Sequence, residues 1–290
     1  MQHRLLHRDD LVTIHDVACH ASRSGPGDEE CAERVTLVVP RRGVFVTHRA
    51  GREFTADVGR AVLLWPHRPY RVSHPASAGD DCVAFAFEPD VGREAGDGAA
   101  EDTAWVVECE PDLLHTAQRL RQALAIRSID SMAVQEAALA MLHAVTQRRA
   151  CRPLGAAVTS AGRAARHRMV ETTRQAIAAH SHERLSLADL ARHAGVSRFH
   201  LARTFRRLTG ASVHAHLNRV RLGTALERIV AGERDLTSVA LACGFASHSH
   251  LTHAFRRMFG APPSTLRRPP DGREIRRMST ILQARSGPAM

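Results

Sequence analysis

Two segments of this 290-residue chain, about fifty residues apart, carry arginine, histidine and serine side chains in the same order. The first begins at position 187 and reads LADLARHAGVSRFHLARTFRRLTG; the second begins at 236 and reads LTSVALACGFASHSHLTHAFRRMFG. Arginine donates paired N–H bonds to phosphate or guanine, and histidine, serine and threonine can bind base edges. These residue types indicate that the chain binds nucleic acid at two places.

Matched positions define the repeat. Ala191 matches Ala240 and Gly195 matches Gly244, both at a spacing of 49 residues. After one inserted residue the spacing becomes 50, and the matches are Ser197 with Ser247, Leu201 with Leu251, Phe205 with Phe255, Arg206–Arg207 with Arg256–Arg257, and Gly210 with Gly260. The two segments are therefore expected to be two copies of one structural unit.

The first copy has the sequence signals of two short helices joined by a tight turn. Ser186 and Asp189 have the spacing of a capping box, which begins a helix. Gly195 permits the turn because glycine reaches positive φ at little cost, and Ser197 is a favoured N-cap for the next helix. The apolar residues of that next helix fall on one face, at Leu201, Phe205 and Leu208. This arrangement predicts a helix-turn-helix.

The second copy repeats these signals with Asp235 as the first cap, Gly244 in the turn and Ser247 as the second cap. Between the copies, Ser212 begins an apolar-periodic stretch that continues to Ile229 and predicts a long helix. Such a helix can hold two reading helices about one DNA turn apart, roughly 34 Å. The C-terminal part of the chain is therefore predicted to be all-α, with two helix-turn-helix motifs.

The segment from about Met169 to Arg268 resembles the DNA-binding domain of AraC/XylS-type transcriptional regulators. The residues that carry the resemblance are A-x3-G-x-S at 191–197, R-x-F-R-R-x-T-G at 203–210, N-R-V-R-L at 218–222, and A-x3-G-F-x-S-x-S-x-L-x3-F-R-R-x-F-G-x-x-P-S at 240–264. The resemblance implies a transcription regulator or activator that binds promoter DNA and contacts RNA polymerase. The alternative is a protein-interaction module whose arginines form a solvated face.

The resemblance also implies which side chains meet DNA. Arg206, Arg207, Arg256 and Arg257 are assigned to phosphate, and Phe199, Arg203, His248, Ser249, His250 and His253 to base edges. The full predicted DNA-binding set is Ser197, Arg198, Phe199, His200, Arg203, Arg206, Arg207, Ser247, His248, Ser249, His250, Thr252, His253, Arg256 and Arg257. The second helix is rich in histidine compared with the family, so sequence preference is not transferable.

Charge supports a polyanionic partner for the C-terminal part. Residues 163–290 hold 22 Arg against 8 acidic residues, whereas residues 1–162 hold 18 Arg against 22 acidic residues. Basicity is thus confined to the part with the repeat, as phosphate neutralisation requires.

The six cysteines lack metal-binding spacing and are expected to be reduced. The sequence has no signal peptide and no membrane-spanning apolar run, so a cytoplasmic location is expected.

The N-terminal part has short apolar runs typical of strands, separated by turn signals. The runs are Val35–Val39, Val44–Thr47, Ala61–Trp65 and Cys82–Phe87. Their spacing favours a small barrel or a jelly roll, and W-P-H-R-P-Y-R-V-S-H-P at 65–75 resembles the cupin-like sensor domains of the same regulators. The expected fold is an α+β multidomain chain in which an N-terminal cupin-like β-barrel with a helical hairpin precedes the all-α domain.

The predicted barrel has the pieces of a ligand pocket but not of a metal centre. Metal cupins resemble one another by an H-x-H followed by Glu; His48 and Glu53 are present, but Ala50 occupies the position of the second His. We therefore predict no metal, no cofactor and no catalytic residue. The predicted pocket for a small-molecule effector consists of His48, Trp65, His67, Tyr70 and His74. The alternatives are a sealed barrel used only for dimerisation, and a cupin-type binding protein or enzyme tethered to DNA.

Two apolar stripes follow the predicted barrel, each with spacing 0, 4, 7 and 11. They consist of Leu113, Ala117, Leu120 and Leu124, and of Val134, Ala138, Met141 and Val145. A helical hairpin that forms a homodimer interface and a hairpin that packs on the chain's own barrel both fit this spacing. The expected boundaries are sensor domain 1–105, hairpin 106–150, linker 151–166, DNA-binding domain 167–268 and a mobile basic tail 269–290.

Overall fold

The computed structural model describes residues 1–20, 25–49, 51–75, 79–94, 106–151 and 161–285. Residues 1–108 are rich in strands, and the described remainder of the chain is helical. We call the part up to Cys151 the N-terminal region and the part from Ala161 the C-terminal region. None of the helices in these ranges is both long and apolar enough to cross a lipid bilayer.

Within the described residues, ten strands are arranged in two antiparallel sheets. The strands are β1 (Gln2–Arg8), β2 (Val12–Cys19), β3 (Glu30–Cys31), β4 (Thr36–Arg42), β5 (Phe45–Arg49), β6 (Arg52–Ala56), β7 (Arg60–Leu64), β8 (Pro69–Ser73), β9 (Asp80–Phe87) and β10 (Val106–Glu108). The larger sheet has the order β1-β2-β9-β4-β7-β10, and the smaller sheet has the order β3-β8-β5-β6. Among the described residues, hydrogen-bonded strands do not close into one ring, so the expected closed barrel is not observed.

The four predicted apolar runs lie on β4, β5, β7 and β9, and alternation places Val83, Phe85 and Phe87 of β9 in the core. The sequence pattern misses β1 and β2, although they form one edge of the larger sheet. The sequence of β1 is QHRLLHR, and its residues are exposed or half-buried. A strand that is stabilised mainly by hydrogen bonds to a neighbouring strand needs little hydrophobic periodicity of its own.

In the part of the chain that the structure describes, ten α-helices follow or interrupt the strands. They are α1 (Pro89–Glu94), α2 (Pro111–Ala125), α3 (Ser131–Cys151), α4 (Ala161–His180), α5 (Leu187–His193), α6 (Arg198–Thr209), α7 (Val213–Val230), α8 (Leu236–Ala242), α9 (His248–Phe259) and α10 (Gly272–Ala284), with a short 3₁₀ helix at Pro263–Arg267. The linker predicted at 151–166 overlaps the first residues of α4, and positions 152–160 lie outside the described residues.

The helical hairpin is present as α2 and α3, and all eight residues of its two apolar stripes are buried within one chain. Helix α2 packs against the larger sheet and α7, while α3 packs against α10. The stripes therefore stabilise the chain's own core, which is the second of the two possibilities that their spacing left open.

The prediction of a mobile tail is wrong for residues 272–284, which form α10. Asp271 caps this helix by accepting a hydrogen bond from the backbone N–H of Glu274 at 2.8 Å. Ile275 and Leu282 are fully buried against the hairpin. Their helical spacing and the Asp271 cap are signals that the Pro-Pro-Asp-Gly sequence before them obscures.

Buried charged residues join the N-terminal and C-terminal regions. Arg174 of α4 has Nη2 2.7 Å from Oε1 of Glu108 on β10, and Nη1 3.4 Å from Oδ2 of Asp57, which follows β6. Arg41 of β4 likewise bridges Asp16 of β2, at 2.6 Å, and Glu227 of α7. Such pairs persist inside a protein only when their partners are held in place, so the two regions form one packed unit.

Candidate nucleic-acid interface

Helix α5 begins with the capping box that the sequence predicts. The backbone N–H of Asp189 donates to Oγ of Ser186 at 3.1 Å, and the Ser186 N–H donates back to Asp189 at 3.1 Å. Gly195 lies in the left-handed region at φ +66° and joins α5 to α6. Leu190 and Ala191 are buried, so the small side chain of Ala191 lies where the two helices approach closely.

Helix α6 is capped by Ser197, whose Oγ accepts from the backbone N–H of His200 at 3.2 Å. Leu201 and Phe205 have no exposed surface and anchor the helix in the core. The helix ends at Gly210, which has φ +78°. A short helix anchored on one face leaves its opposite face free for contacts with a ligand.

The helix pair α8–α9 has the same construction. Asp235 caps α8 through the backbone N–H of Thr237 at 2.9 Å, and Ser247 caps α9 through that of His250 at 3.1 Å. Gly244, at φ +79°, makes the turn. The anchors of α9, Leu251 and Phe255, are fully buried like their counterparts in α6.

The predicted DNA-contacting residues lie on α6 and α9 or at the N-caps of these helices. All fifteen are exposed except Thr252, which is half-buried with Oγ1 3.3 Å from Nε2 of His248. Phe199 is 75% exposed, a large value for a phenylalanine in an ordered helix. The ring of His250 packs edge-on against Phe245, with centroids 5.3 Å apart. Each face is thus a basic, hydrogen-bonding surface on a rigid helix.

Known proteins resemble this part of the chain. Residues 190–269 match a family model described as a helix-turn-helix domain. A putative AraC-like transcription regulator from Streptomyces lividans is 38% identical over 85 residues, which cover 29% of this chain and 28% of the relative. The C-terminal helices form an AraC-type helix-turn-helix domain.

The AraC-type domain also matches the right origin-binding protein of Escherichia coli strain K12, which is 33% identical over 92 residues. These residues are 32% of each chain, so the match spans about a third or less of the length of the curated relatives. A solved AraC-type regulator from Chromobacterium violaceum is 28% identical over 36% of this chain and 93% of its own, with a TM-score of 0.34.

Helix α7 connects the two helix pairs of the AraC-type domain. Its 18 residues correspond to a length of about 27 Å at 1.5 Å per residue. Its buried residues include His216, Leu217 and Glu227, so the helix lies inside the fold rather than in solvent. The relative position of α6 and α9 is therefore fixed by a buried element.

The five residues predicted to line an effector pocket have separate surroundings. Oγ of Ser73 lies 2.7 Å from Nε2 of His48, and Trp65 is buried in the main core. Tyr70 is hydrogen-bonded to Glu30, and burial together with this carboxylate raises the pKa of the phenol. His67 is exposed at φ 58°.

His74, the fifth of these residues, lies beside Cys19 and Asp80. Asp80 has no motif that marks it as a site residue, and the pairing of β2 with β9 alone brings it to Cys19.

A different set of residues lines a cavity of about 420 Å³ between β6 and α4. The lining residues are Gly51, Arg52, Glu53, Phe54, Ala164, His167, Arg168, Glu171, Thr172 and Gln175. The rings of Phe54 and His167 meet edge-on, with centroids 5.5 Å apart. The sequence gives no signal for this cavity because its two walls are more than a hundred residues apart in the chain.

Proposed function

We propose that this protein is a sequence-specific, DNA-binding transcription regulator that reads two adjacent segments of duplex DNA. The observation that carries the proposal is the pair of exposed basic faces on α6 and α9, joined by α7. The net charge of +10 and the concentration of Arg in the same region favour a phosphate-rich partner. A bacterial regulator of this type would act in the cytoplasm, because promoter DNA is located there.

Within this proposal ten of the fifteen exposed or half-buried residues divide between two roles. The Arg pairs 206–207 and 256–257 lie in the last turns of α6 and α9 and would contact phosphates. Phe199 and Arg203 of α6, and the histidines and Ser249 of α9, would reach base edges. Phosphate contacts set affinity and its salt dependence, whereas base contacts set specificity.

Selection of bound sequences from a random DNA pool at about 150 mM salt tests this proposal with the full-length protein. We expect a motif with two short blocks about one helical turn apart. A pool that remains random after repeated rounds would contradict sequence-specific reading and would favour an architectural DNA binder.

Control of transcription is the expected outcome of such binding, because the relative from Streptomyces lividans carries that name. The right origin-binding protein provides a second possibility, in which the same domain marks DNA without acting on RNA polymerase. In vitro transcription from a template with the selected motif separates these roles. A change in transcript level with the wild-type protein, absent from a template with a scrambled motif, supports the regulator, and an increase would support its contact with RNA polymerase.

We place the effector site in the cavity between β6 and α4 rather than among the five residues first predicted. Its walls come from the N-terminal and C-terminal regions, so a ligand there would contact both. Arg52 and Arg168 supply positive charge that Glu53 partly offsets, Glu171 is already paired with Arg60, and Phe54 supplies an apolar face. This combination fits a small carboxylate with an apolar body.

Calorimetric titration with a panel of small aromatic and aliphatic carboxylates tests the effector site. Saturable binding that Arg168→Gln weakens at least tenfold supports the assignment. Arg184→Gln is the matched control, because Arg184 is exposed and lies outside the cavity lining. Equal affinities for both variants and the wild type would place the effector elsewhere.

The expected homodimer requires a surface other than the two apolar stripes, since these are buried within one chain. Met132 and Leu139 of α3 are 64% and 38% exposed, and we propose that this outer face of α3 makes the dimer contact. Sedimentation equilibrium of the wild type and of Met132→Glu tests this, with a shift toward monomer expected for the variant. An unchanged distribution would reject this face.

A further inference from the structure

Three side chains at one end of the larger sheet form a chain of polar contacts that no contact with DNA requires. Sγ of Cys19, the last residue of β2, lies 3.5 Å from Nε2 of His74. Nδ1 of the same imidazole lies 2.6 Å from Oδ1 of Asp80, the first residue of β9. The imidazole therefore has a thiol on one nitrogen and a carboxylate on the other.

The backbone holds these groups in place. Cys19 and Asp80 are directly paired across the β2–β9 ladder. Gly79, at φ +67°, lies so close to Cys19 that a Cβ at this position would be 2.0 Å from the Cys19 carbonyl oxygen. Glycine at position 79 is thus required for the segment that carries Asp80 to approach β2.

Charged and titratable groups around Cys19 come from four elements. His74 follows β8, and Asp80 and Cys82 are on β9. Arg41 is on β4, and its positive charge favours the thiolate form of Cys82. The fourth is His20, which is exposed and directly follows Cys19. Sγ of Cys82 lies 3.5 Å from Oδ2 of Asp80, and burial raises the pKa of the Cys82 thiol well above its usual range. Cys19 is the thiol that faces the imidazole.

The orientation of the imidazole decides between a metal centre and an activated thiol. Cys19, His74 and Asp80 each offer one ligand atom within 4.8 Å of the others, but the 2.6 Å contact between Nδ1 of His74 and Asp80 leaves a metal ion only Nε2 and Sγ of Cys19 as protein ligands, with Asp80 orienting the histidine. Zinc sites use at least three protein ligands. A thiol that faces a histidine, which is in turn held by a carboxylate, is instead the arrangement that activates a nucleophile.

We propose that Cys19 is an activated thiol that forms covalent adducts with small soft electrophiles, such as α,β-unsaturated carbonyl compounds. Nε2 of His74 accepts the thiol proton, and Asp80 accepts the hydrogen bond from Nδ1–H and stabilises the resulting imidazolium. The thiolate sulfur attacks the β-carbon and forms an S–C bond. The π-electron pair moves to the α-carbon, which takes the proton back from Nε2, so that S–H has been added across C=C without an oxidant.

The size of the electrophile is limited by the surroundings. Cys19 is 3% exposed, whereas the side chain of His74 is 15% exposed. A reagent therefore has to approach along the histidine. Compact planar molecules meet this requirement better than branched ones.

The proposal is tested by labelling the full-length protein with N-ethylmaleimide in the presence of a chelator, with rates at each cysteine read by peptide mass spectrometry. Cys31 is exposed on β3 and provides the internal comparison. An ordinary thiol with a pKa near 8.5 loses roughly 70-fold in rate between pH 8 and pH 6. Each rate is divided by its own value at pH 8, which removes the effect of accessibility.

We expect the Cys19 rate to fall less than about tenfold over this range, while the Cys31 rate falls more steeply. His74→Gln should give Cys19 the steep profile of Cys31, and Asp80→Asn should give an intermediate profile. His20→Gln is the matched control, because this exposed neighbour has no part in the contact chain.

Three results would overturn the proposal. The first is a Cys19 profile parallel to that of Cys31 in the wild-type protein. The second is an unlabelled Cys19 at pH 8 under conditions that label Cys31 fully. The third is a Cys19 that is protected in the protein as isolated and becomes reactive only after the chelator is added, since this identifies a metal site. Circular dichroism of each variant establishes that it is folded before labelling.

Discussion

Arg60 of β7 donates from Nη1 to both carboxylate oxygens of Glu171 on α4, at 2.8 Å and 3.0 Å. Both side chains are buried, and the backbone N–H of Thr55 donates to the same carboxylate at 2.7 Å. Burial alone would raise the pKa of Glu171, but Arg60 and Arg174 hold it below its usual range. This contact ties the first helix of the C-terminal region to the strands of the N-terminal region.

Glu171→Gln should destabilise the folded protein by up to about 3–5 kcal/mol, because it removes the carboxylate that Arg60 holds by both oxygens and leaves this buried guanidinium paired with Glu108. The free energy of unfolding from urea titration at pH 7 measures this change. Glu183→Gln is the control, since Glu183 is exposed and its carboxylate pairs with His180 and His182 at the surface. Equal stability of the two variants would show that the buried pair contributes little.

Acid should weaken the fold through His115 of α2. Burial, assisted by Arg119, lowers the pKa of His115 to about 4, and its ring lies 5.5 Å from that of Phe259 at the end of α9. The unfolded chain binds a proton near pH 6.5 and the folded chain does not, so stability present above pH 6.5 is lost as the pH falls toward 4.

His115→Leu should make this loss shallower by up to one proton, or roughly 1.4 kcal/mol per pH unit. Urea titrations at several pH values between 4.5 and 7.5 give the slope. His216, whose pKa burial also lowers, contributes in the same direction and remains in the variant. His143→Leu, at an exposed position of α3, should keep the wild-type slope.

The sequence predicted the helix ends and turns well because their causes are local. Ser186, Ser197, Ser247 and Asp235 accept the backbone hydrogen bonds expected of caps, and each involves residues two or three positions away. The buried arginines could not be predicted in this way. Whether Arg60 or Arg119 is buried depends on a carboxylate or carbonyl brought from more than a hundred residues away.

Helix α10 provides a direct comparison of two isoleucines. Ile275→Ala should cost about 2–5 kcal/mol, because Ile275 is fully buried against the hairpin. Ile281→Ala should change stability by less than about 0.5 kcal/mol, because Ile281 is 42% exposed. Urea unfolding of the two variants distinguishes a packed helix from the mobile tail that the sequence suggested, for which both changes would be neutral.

The two turn glycines should differ in what they tolerate, although the repeat matches them. A Cβ at Gly195 meets nothing within 4 Å, so Gly195→Ala should cost about 1 kcal/mol of backbone strain. A Cβ at Gly244 would lie 2.9 Å from the Ser181 carbonyl oxygen and from Nε of Arg221. Gly244→Ala should therefore cost at least ~1 kcal/mol more. Thermal or urea unfolding of both variants checks the order.

Two arginines of α6 should affect DNA binding differently. Arg203→Ala should cost about 1–3 kcal/mol on the selected motif and relax specificity at one position, because it is assigned to a base edge. Arg207→Ala should weaken binding to all sequences alike and reduce the salt slope by about 1.

Binding isotherms on the selected motif and on a scrambled motif, each at three salt concentrations, measure both effects. Arg4→Ala, at an exposed position on β1, is the control. Identical behaviour of the Arg203 and Arg207 variants would remove the division of roles.

In the N-terminal region, the sequence pattern predicts which strand residues are buried but not which side chains come together. Val83, Phe85 and Phe87 alternate in sequence and are buried as alternation requires. The five proposed pocket residues share a sequence neighbourhood, yet Trp65 is in the core, His67 is in solvent and His74 faces Cys19. Proximity in sequence does not place side chains in one cavity: Trp65 and His67 lie in the connection between β7 and β8, and His74 follows β8.

Helix α7 is held from both sides, by Glu227 against Arg41 and Arg121 and by its burial among neighbouring helices. It therefore acts as a rigid spacer between α6 and α9. In the proposed complex the distance and phase between the two DNA blocks are set by the protein's interior. When one base pair is added between the two blocks of a target, one block is rotated by about 34° about the DNA axis relative to the other. Such a mismatch would have to be absorbed by twisting the DNA, whose stiffness depends on the sequence between the blocks.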